Sequence, residues 1–128
     1  MQITRLNPPR KFLVGAPPQI TLSDCGSIKL NPDEQITFLT DKKNQYDIVK
    51  KEWGFYATPS LNGRLPSFSI KPFLVKNLDS GRFFILLLEK GKDNIFEEYC
   101  KKENIAVIAE LDDQNDLSKI EEAVKTKK

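Results

Sequence analysis

Residues 52–66, Glu-Trp-Gly-Phe-Tyr-Ala-Thr-Pro-Ser-Leu-Asn-Gly-Arg-Leu-Pro, hold the densest mixture of functional groups in the chain. Trp53, Phe55 and Tyr56 offer flat surfaces for stacking on a base or a sugar ring. Thr58, Ser60 and Asn62 supply short neutral hydrogen-bonding groups. Arg64 supplies a planar cationic fork suited to phosphate or carboxylate. Gly54 and Gly63 allow a ligand to approach the backbone closely. Aromatics beside such polar groups suit a small-molecule or glycan site, with Trp53, Tyr56, Thr58, Ser60, Asn62 and Arg64 as its binding residues. The same stretch also reads as a strand followed by a packed turn, with Trp53 and Phe55 plugging the core and Asn62-Gly63 shaping the loop.

Two other chemistries are open to the sequence. Lys71, Lys76 and Arg82, with Arg64, frame an anionic groove interleaved with aromatics, as in single-stranded nucleic-acid binders. A solvated edge that blocks aggregation is the plainer account of such lysines. Glu52, Tyr56 and Glu89 are the candidates for acid–base work in a small enzyme. No spacing rule brings them together.

Composition narrows the field further. The chain of 128 residues has 20 Lys+Arg, 18 Asp+Glu, two Cys and no His. Without imidazole there is no Ser-His-Asp or Cys-His pair, and no zinc site that uses His. No phosphate loop and no GxGxxG occurs. Cys25 and Cys100 do not form a CxxC pair and read as reduced thiols of a cytoplasmic protein, Cys100 on the apolar face of a helix. No cofactor, no metal and no catalytic residue is expected from this pattern. The longest strictly apolar run, Phe83 to Leu88, is too short to span a bilayer.

The elements that must position these groups follow from periodicity. Residues 1–18, with Pro8-Pro9 and Pro17-Pro18, predict a Pro-rich N-terminal arm whose Phe12-Leu13-Val14 patch lies on the domain or clasps a second copy. Residues 19–128 predict a single α+β domain, a mostly antiparallel mixed sheet with one or two C-terminal helices. Short alternating strands are predicted after Gln19, with Cys25-Gly26 as a turn. A hairpin pairs 35–40 with 45–51. Pro72 places the 68–77 strand at an edge or a bulge, whereas the apolar run 82–89 predicts a central strand covered on both faces. A helix is predicted over 93–103, with Asp93 as N-cap and Asn104 at its end. A strand follows over 105–111, parallel to 82–89 if the connection is a βαβ crossover, and then a helix capped by Asp116.

The run from Cys25-Gly26 through Pro32-Asp33-Glu34-Gln35, the string Glu52 to Leu65, and Leu74-Val-Lys-Asn77, Gly81-Arg82 and Leu88-Glu-Lys-Gly91 carry a resemblance. The chain resembles a family of small uncharacterised bacterial proteins similar to ones encoded beside enzymes of cell-surface polysaccharide biosynthesis. The resemblance covers about Ile20 to Leu111 and implies a context, with no activity, cofactor or catalytic residue to transfer. Together these readings predict a non-catalytic binding or accessory protein. Its partner is an enzyme or a glycan-related, sugar-linked or anionic small molecule, met through 53–64. A single-stranded nucleic-acid module and a small acid–base enzyme are the alternatives, and a homo-oligomer is the expected assembly.

Overall fold

The computed structural model describes residues 1–126. The class is α+β, with mostly antiparallel strands and, among the described residues, three helices. The chain divides into two compact units, Met1–Ile36 with Ile48–Tyr56, and Thr37–Asp47 with Ala57–Lys128.

The first unit is dominated by a ribbon of two antiparallel strands, β1 (Gln2–Val14) and β2 (Ile20–Lys29). The segment expected as an arm is thus the first strand of a hairpin. Its ladder runs from Gln2↔Lys29 to Arg5↔Gly26, breaks, and resumes from Arg10↔Asp24 to Val14↔Ile20. The break spans Leu6 to Pro9, because a proline has no N–H to give to a ladder. The prolines therefore interrupt the strand locally without preventing it. Cys25-Gly26, expected as a turn, lies inside β2. Gly26 has φ +137°, and a Cβ there would stand 2.0 Å from the Thr4 carbonyl oxygen, so the close approach of β1 requires glycine.

A second sheet has the order β3 (Gln35–Leu39), β4 (Gln45–Lys51), β5 (Gly54–Ala57), and its residues are apportioned to both units. The hairpin expected over 35–40 and 45–51 is present, closed by the Thr40 N–H donating to the Asn44 carbonyl at 2.9 Å.

The second unit is built on three strands in the order β7-β6-β8, where β6 is Ile70–Asn77, β7 is Phe83–Glu89 and β8 is Ile105–Glu110. Both outer strands are antiparallel to β6. They therefore run in the same direction, as expected of a crossover, but β6 lies between them in a split βαβ arrangement. Helix α2 (Asp93–Glu103) makes the connection. Its Phe96 ring stacks on Phe73 of β6, with centroids 5.2 Å apart and planes at 19°. Phe73, Val75 and Leu88 form the buried cluster, lined by Leu86, Phe96 and Ile105. The one-turn helix α1 (Arg64–Ser67) packs on β6 and carries Leu65, which is fully buried.

The sequence-based positions of β6 and β7 are reversed in the structure. β7 is an edge strand with Phe83, Phe84 and Ile85 exposed, and β6 is central. Pro72 is tolerated at the centre because of where its missing N–H would point. Its carbonyl accepts the Leu111 N–H at 3.0 Å, just past the end of β8. N–H and C=O of one residue face the same neighbour in an antiparallel strand, so the absent donor falls where β8 has ended. A bulge does occur near Pro72, but on the neighbouring strand: Leu74 pairs with Ala109 and Val75 with Val107, so Ile108 of β8 is the extra residue.

Helix boundaries follow local chemistry. α2 stops at Asn104, which adopts a left-handed conformation (φ 55°). Its N-cap is Lys92, without a side-chain cap bond, and Asp93 sits in the first turn, favourable to the helix dipole. Helix α3 (Gln114–Thr126) is capped by Asp113, whose Oδ1 accepts the Asn115 N–H at 2.7 Å and the Asp116 N–H at 3.0 Å. Asp116, expected as the cap, instead accepts the Glu110 N–H at 2.8 Å and ties α3 to β8.

Candidate binding surface

Strands β4 and β5 are joined at Glu52-Trp53, and the alternation of β5 sets the direction of its side chains. Trp53, Phe55 and Tyr56 are 73%, 67% and 50% exposed. None of them plugs a core, so the packed-turn reading of Trp53 and Phe55 does not describe the structure. The Lys50 ammonium stands 5.8 Å from the centre of the Phe55 ring, a cation–π distance. Four residues thus present three aromatic surfaces to solvent in the first unit.

The remaining candidates lie in the second unit and are engaged with the protein itself. Asp47 is 2% exposed. Its Oδ1 accepts from the Thr37 hydroxyl at 2.7 Å, and both its oxygens accept from the Gln45 amide at 3.2 Å. Arg64 faces it with Nη2 3.6 Å from Oδ2, and lays its guanidinium over Phe68 at 5.2 Å. A buried carboxylate needs such partners, because an unpaired charge away from water is costly. The Thr58 N–H donates to the Asp47 backbone carbonyl at 3.1 Å, whereas its Oγ1 is buried without a hydrogen-bond partner. Ser60 Oγ accepts the Arg64 N–H at 2.7 Å. Gly63 permits this turn, since a Cβ there would stand 2.5 Å from Ser60 Oγ. Asn62 donates to Gln114 Oε1 of α3 at 3.0 Å. The structure therefore brings Thr58 and Arg64 to Asp47, uses Ser60 to hold the turn that carries Arg64, and ties Asn62 to α3, while Trp53 and Tyr56 stand exposed in the other unit.

The basic groove expected from Lys71, Lys76, Arg82 and Arg64 does not form as a set. Against β7, Lys71 pairs with Leu88 and Lys76 with Phe83, positions of opposite parity, so the two lysines lie on opposite faces of the sheet. Lys71 is bound to Asp112 at 3.0 Å and to Glu110 at 3.3 Å. Burial pulls its pKa down, but the hydrogen bonds and charges of Asp112 and then Glu110 outweigh this and hold it above the ordinary lysine value. Lys76 lies over the Phe83 ring at 5.5 Å.

Among the acid–base candidates, Glu89 is tied to the turn of the β3–β4 hairpin. Its Oε2 accepts from the Thr40 hydroxyl at 2.5 Å and from the Asn44 amide at 2.7 Å. These two bonds, Thr40 first, hold its pKa below the ordinary carboxylate value, which suits a permanent anion better than a proton donor. Glu89 was a candidate from sequence, but its partners Thr40 and Asn44 were not, and neither was the cluster around Asp47. The available signal was a carboxylate inside a strand pattern, Tyr46-Asp47-Ile48, which asks for a partner that only the fold names. Cys100 is half-buried, and burial, then the Glu97 charge, push its thiol pKa up.

No protein-family model, no curated protein and no solved structure matches the chain. Among the described residues no helix is long and apolar enough to cross a membrane.

Proposed function

We propose that the protein is a cytoplasmic, non-catalytic binding or accessory module of bacterial surface-polysaccharide assembly. It contacts a sugar-linked ligand, or the enzyme that carries one, through Trp53 and Tyr56, while Phe55 takes the opposite face of β5 from Tyr56. The carrying observation is the exposure of these three aromatics within four residues. Large aromatic side chains that the fold leaves in solvent mark contact surfaces more often than isolated exposed aliphatics do. Trp53 and Tyr56 are the stacking groups. Thr58, Ser60, Asn62 and Arg64 shape the segment that follows, since the side chains of Ser60, Asn62 and Arg64 and the backbone N–H of Thr58 bond within the protein.

The chain has a single tryptophan, so its emission reports Trp53 alone. Titration with nucleotide sugars and sugar phosphates is expected to change that emission saturably, and Tyr56→Ala to weaken the response. A flat titration with all of these ligands, in a folded protein, sinks the sugar-ligand form of the proposal.

A second reading is favoured by the Lys50–Phe55 pair, a cation over an exposed ring of the kind used on single strands. It requires binding of single-stranded oligonucleotides at low salt that falls steeply as salt rises. Absence of a mobility shift at low salt removes it.

A further inference from the structure

We propose that the protein forms a two-fold dimer by antiparallel pairing of β7 with β7 of a second copy, making one six-stranded sheet. β7 is the outer strand of the β7-β6-β8 sheet, and among the described residues no strand pairs with its outer edge. It runs Phe83-Phe-Ile-Leu-Leu-Leu-Glu89, with no proline, no glycine and no charge before its last residue. Natural edge strands are usually blunted by lysine, proline or a bulge, and this one carries none of these. A bare, apolar edge is a template for another strand.

The edge is apolar above and below as well. Against β6 the side chains of Phe83, Ile85 and Leu87 take one face, and Phe84, Leu86 and Leu88 the other. On α2, Ile95 and Tyr99 are one helical turn apart and line a recess of about 300 Å³ together with Leu87, Leu88 and Phe96 and the charged Glu89 and Lys92. Phe83, Phe84, Ile85 and Leu87 are 56%, 49%, 55% and 39% exposed, and Ile95 and Tyr99 65% and 45%. At roughly 150–250 Å² for a whole aromatic side chain, these six expose on the order of 500 Å² per copy. A standard interface takes about 800 Å² per partner, and the strand backbone and its surroundings contribute toward the difference.

Charge and register select a second copy as the occupant. Between Arg82 and Glu89 the strand has no charge to match, so its partner must be equally apolar over this length, and β7 itself meets that demand. A two-fold axis normal to the sheet sets each residue opposite one on the same face. Centred on Ile85, the axis pairs Phe83 with Leu87, Phe84 with Leu86, and Ile85 with its own copy, so residues 83–87 meet only apolar partners, while Leu88 comes opposite Arg82. Centred one residue later, it would set Arg82 opposite Lys90, a like-charge clash. Centred one residue earlier, on Phe84, it would set Arg82 opposite Leu86 and Gly81 opposite Leu87, leaving fewer apolar pairs, so Ile85 is the centre that opposes the most apolar side chains without that clash. The two α2 helices then lie on one face of the joined sheet, with Ile95 and Tyr99 turned toward the seam.

The test is light scattering and sedimentation of the full chain over a range of concentrations, with cysteine cross-linking in a Cys25→Ser, Cys100→Ser background. The expected result is a dimer that Ile85→Lys converts to monomer while leaving the far-ultraviolet spectrum unchanged. Leu13→Lys, on the exposed β1 ribbon, is expected to leave the dimer intact. Ile85→Cys is expected to cross-link between copies, and Ile28→Cys on β2 is not. A chain that stays monomeric at all concentrations overturns the proposal, as does a dimer lost with Leu13→Lys but kept with Ile85→Lys. Cross-linking through Ile28→Cys rather than Ile85→Cys would overturn it even if Ile85→Lys misfolds. A monomer that captures an apolar strand peptide on β7 assigns the edge to a different partner and also overturns it.

Discussion

The guanidinium of Arg64 stands 3.6 Å from the carboxylate of Asp47, one partner largely exposed and the other almost wholly buried. The pair anchors the segment after β5 to the strand that precedes it. Removing the cation leaves the buried charge with only neutral donors, Thr37 and Gln45. Because Arg64 is itself half in water, the cost is well below that of a fully buried pair. Arg64→Ala is expected to destabilise by about 1–2 kcal/mol. In a urea-denaturation cycle, Asp47→Asn combined with Arg64→Ala should cost less than the sum of the two single changes. Additivity would show that the two do not interact.

Leu65 and Trp53 belong to the same sequence string and answer differently to truncation. Leu65 is fully buried, so Leu65→Ala is expected to cost about 2–5 kcal/mol through lost burial and the cavity left behind. Trp53 is mostly in solvent, so Trp53→Ala is expected to stay within about 0.5 kcal/mol. Calorimetric melting separates the two. A large loss on Trp53→Ala would return Trp53 to a structural role.

Glu89 sets a pH dependence with a definite sign. Its folded pKa lies below the ordinary value of 4.5, owing to the bonds from Thr40 and then Asn44. The unfolded chain thus binds this proton more readily than the folded one. The stabilisation is complete above the ordinary carboxylate range and is lost as pH falls through the lowered pKa. Glu89→Gln should flatten this part of the acid limb of a melting-temperature profile. Thr40→Val should raise the Glu89 titration midpoint toward its ordinary value, as read by carbon NMR of the carboxyl. An unchanged midpoint would remove Thr40 as the cause.

The two thiols should differ in reactivity. Cys25 is exposed, and Cys100 is half-buried with its thiol pKa raised by burial and by Glu97. At neutral pH a maleimide should label Cys25 first and Cys100 slowly, as followed by mass spectrometry of Cys25→Ser and Cys100→Ser. Faster labelling at Cys100 would contradict that placement.

Elements governed by neighbours in sequence were legible from sequence. α2 spans 93–103 as expected because its apolar positions recur at helical spacing and Asn104 adopts the left-handed turn that ends it. The β3–β4 hairpin was legible for the same local reason. The exchange of β6 and β7 between centre and edge was not, because a continuous apolar run reports only that a strand seeks apolar neighbours. It does not say whether those neighbours lie in the same chain. Pro72 misled in the opposite direction, since its harm depends on where β8 stops. In 52–66 the aromatic residues were visible, but their exposure was not, and the Asp47 partners came from Thr37, Gln45 and Arg64, which no spacing rule links.

The placement of β6 between β7 and β8 also orders events during synthesis. The β6–β7 pairing is local in sequence, so its partners are both available once Glu89 has left the ribosome. The other side of β6 must wait for Ile105–Glu110, which reaches back from as far as Glu110 to Phe73 only after α2 has been made. Until then the nascent chain carries β6 with one flank unpaired and β7 with its outer side equally bare. For that interval two unpaired edges, rather than one, are open to a chaperone or to a neighbouring chain, and only that of β7 is free of lysine and proline.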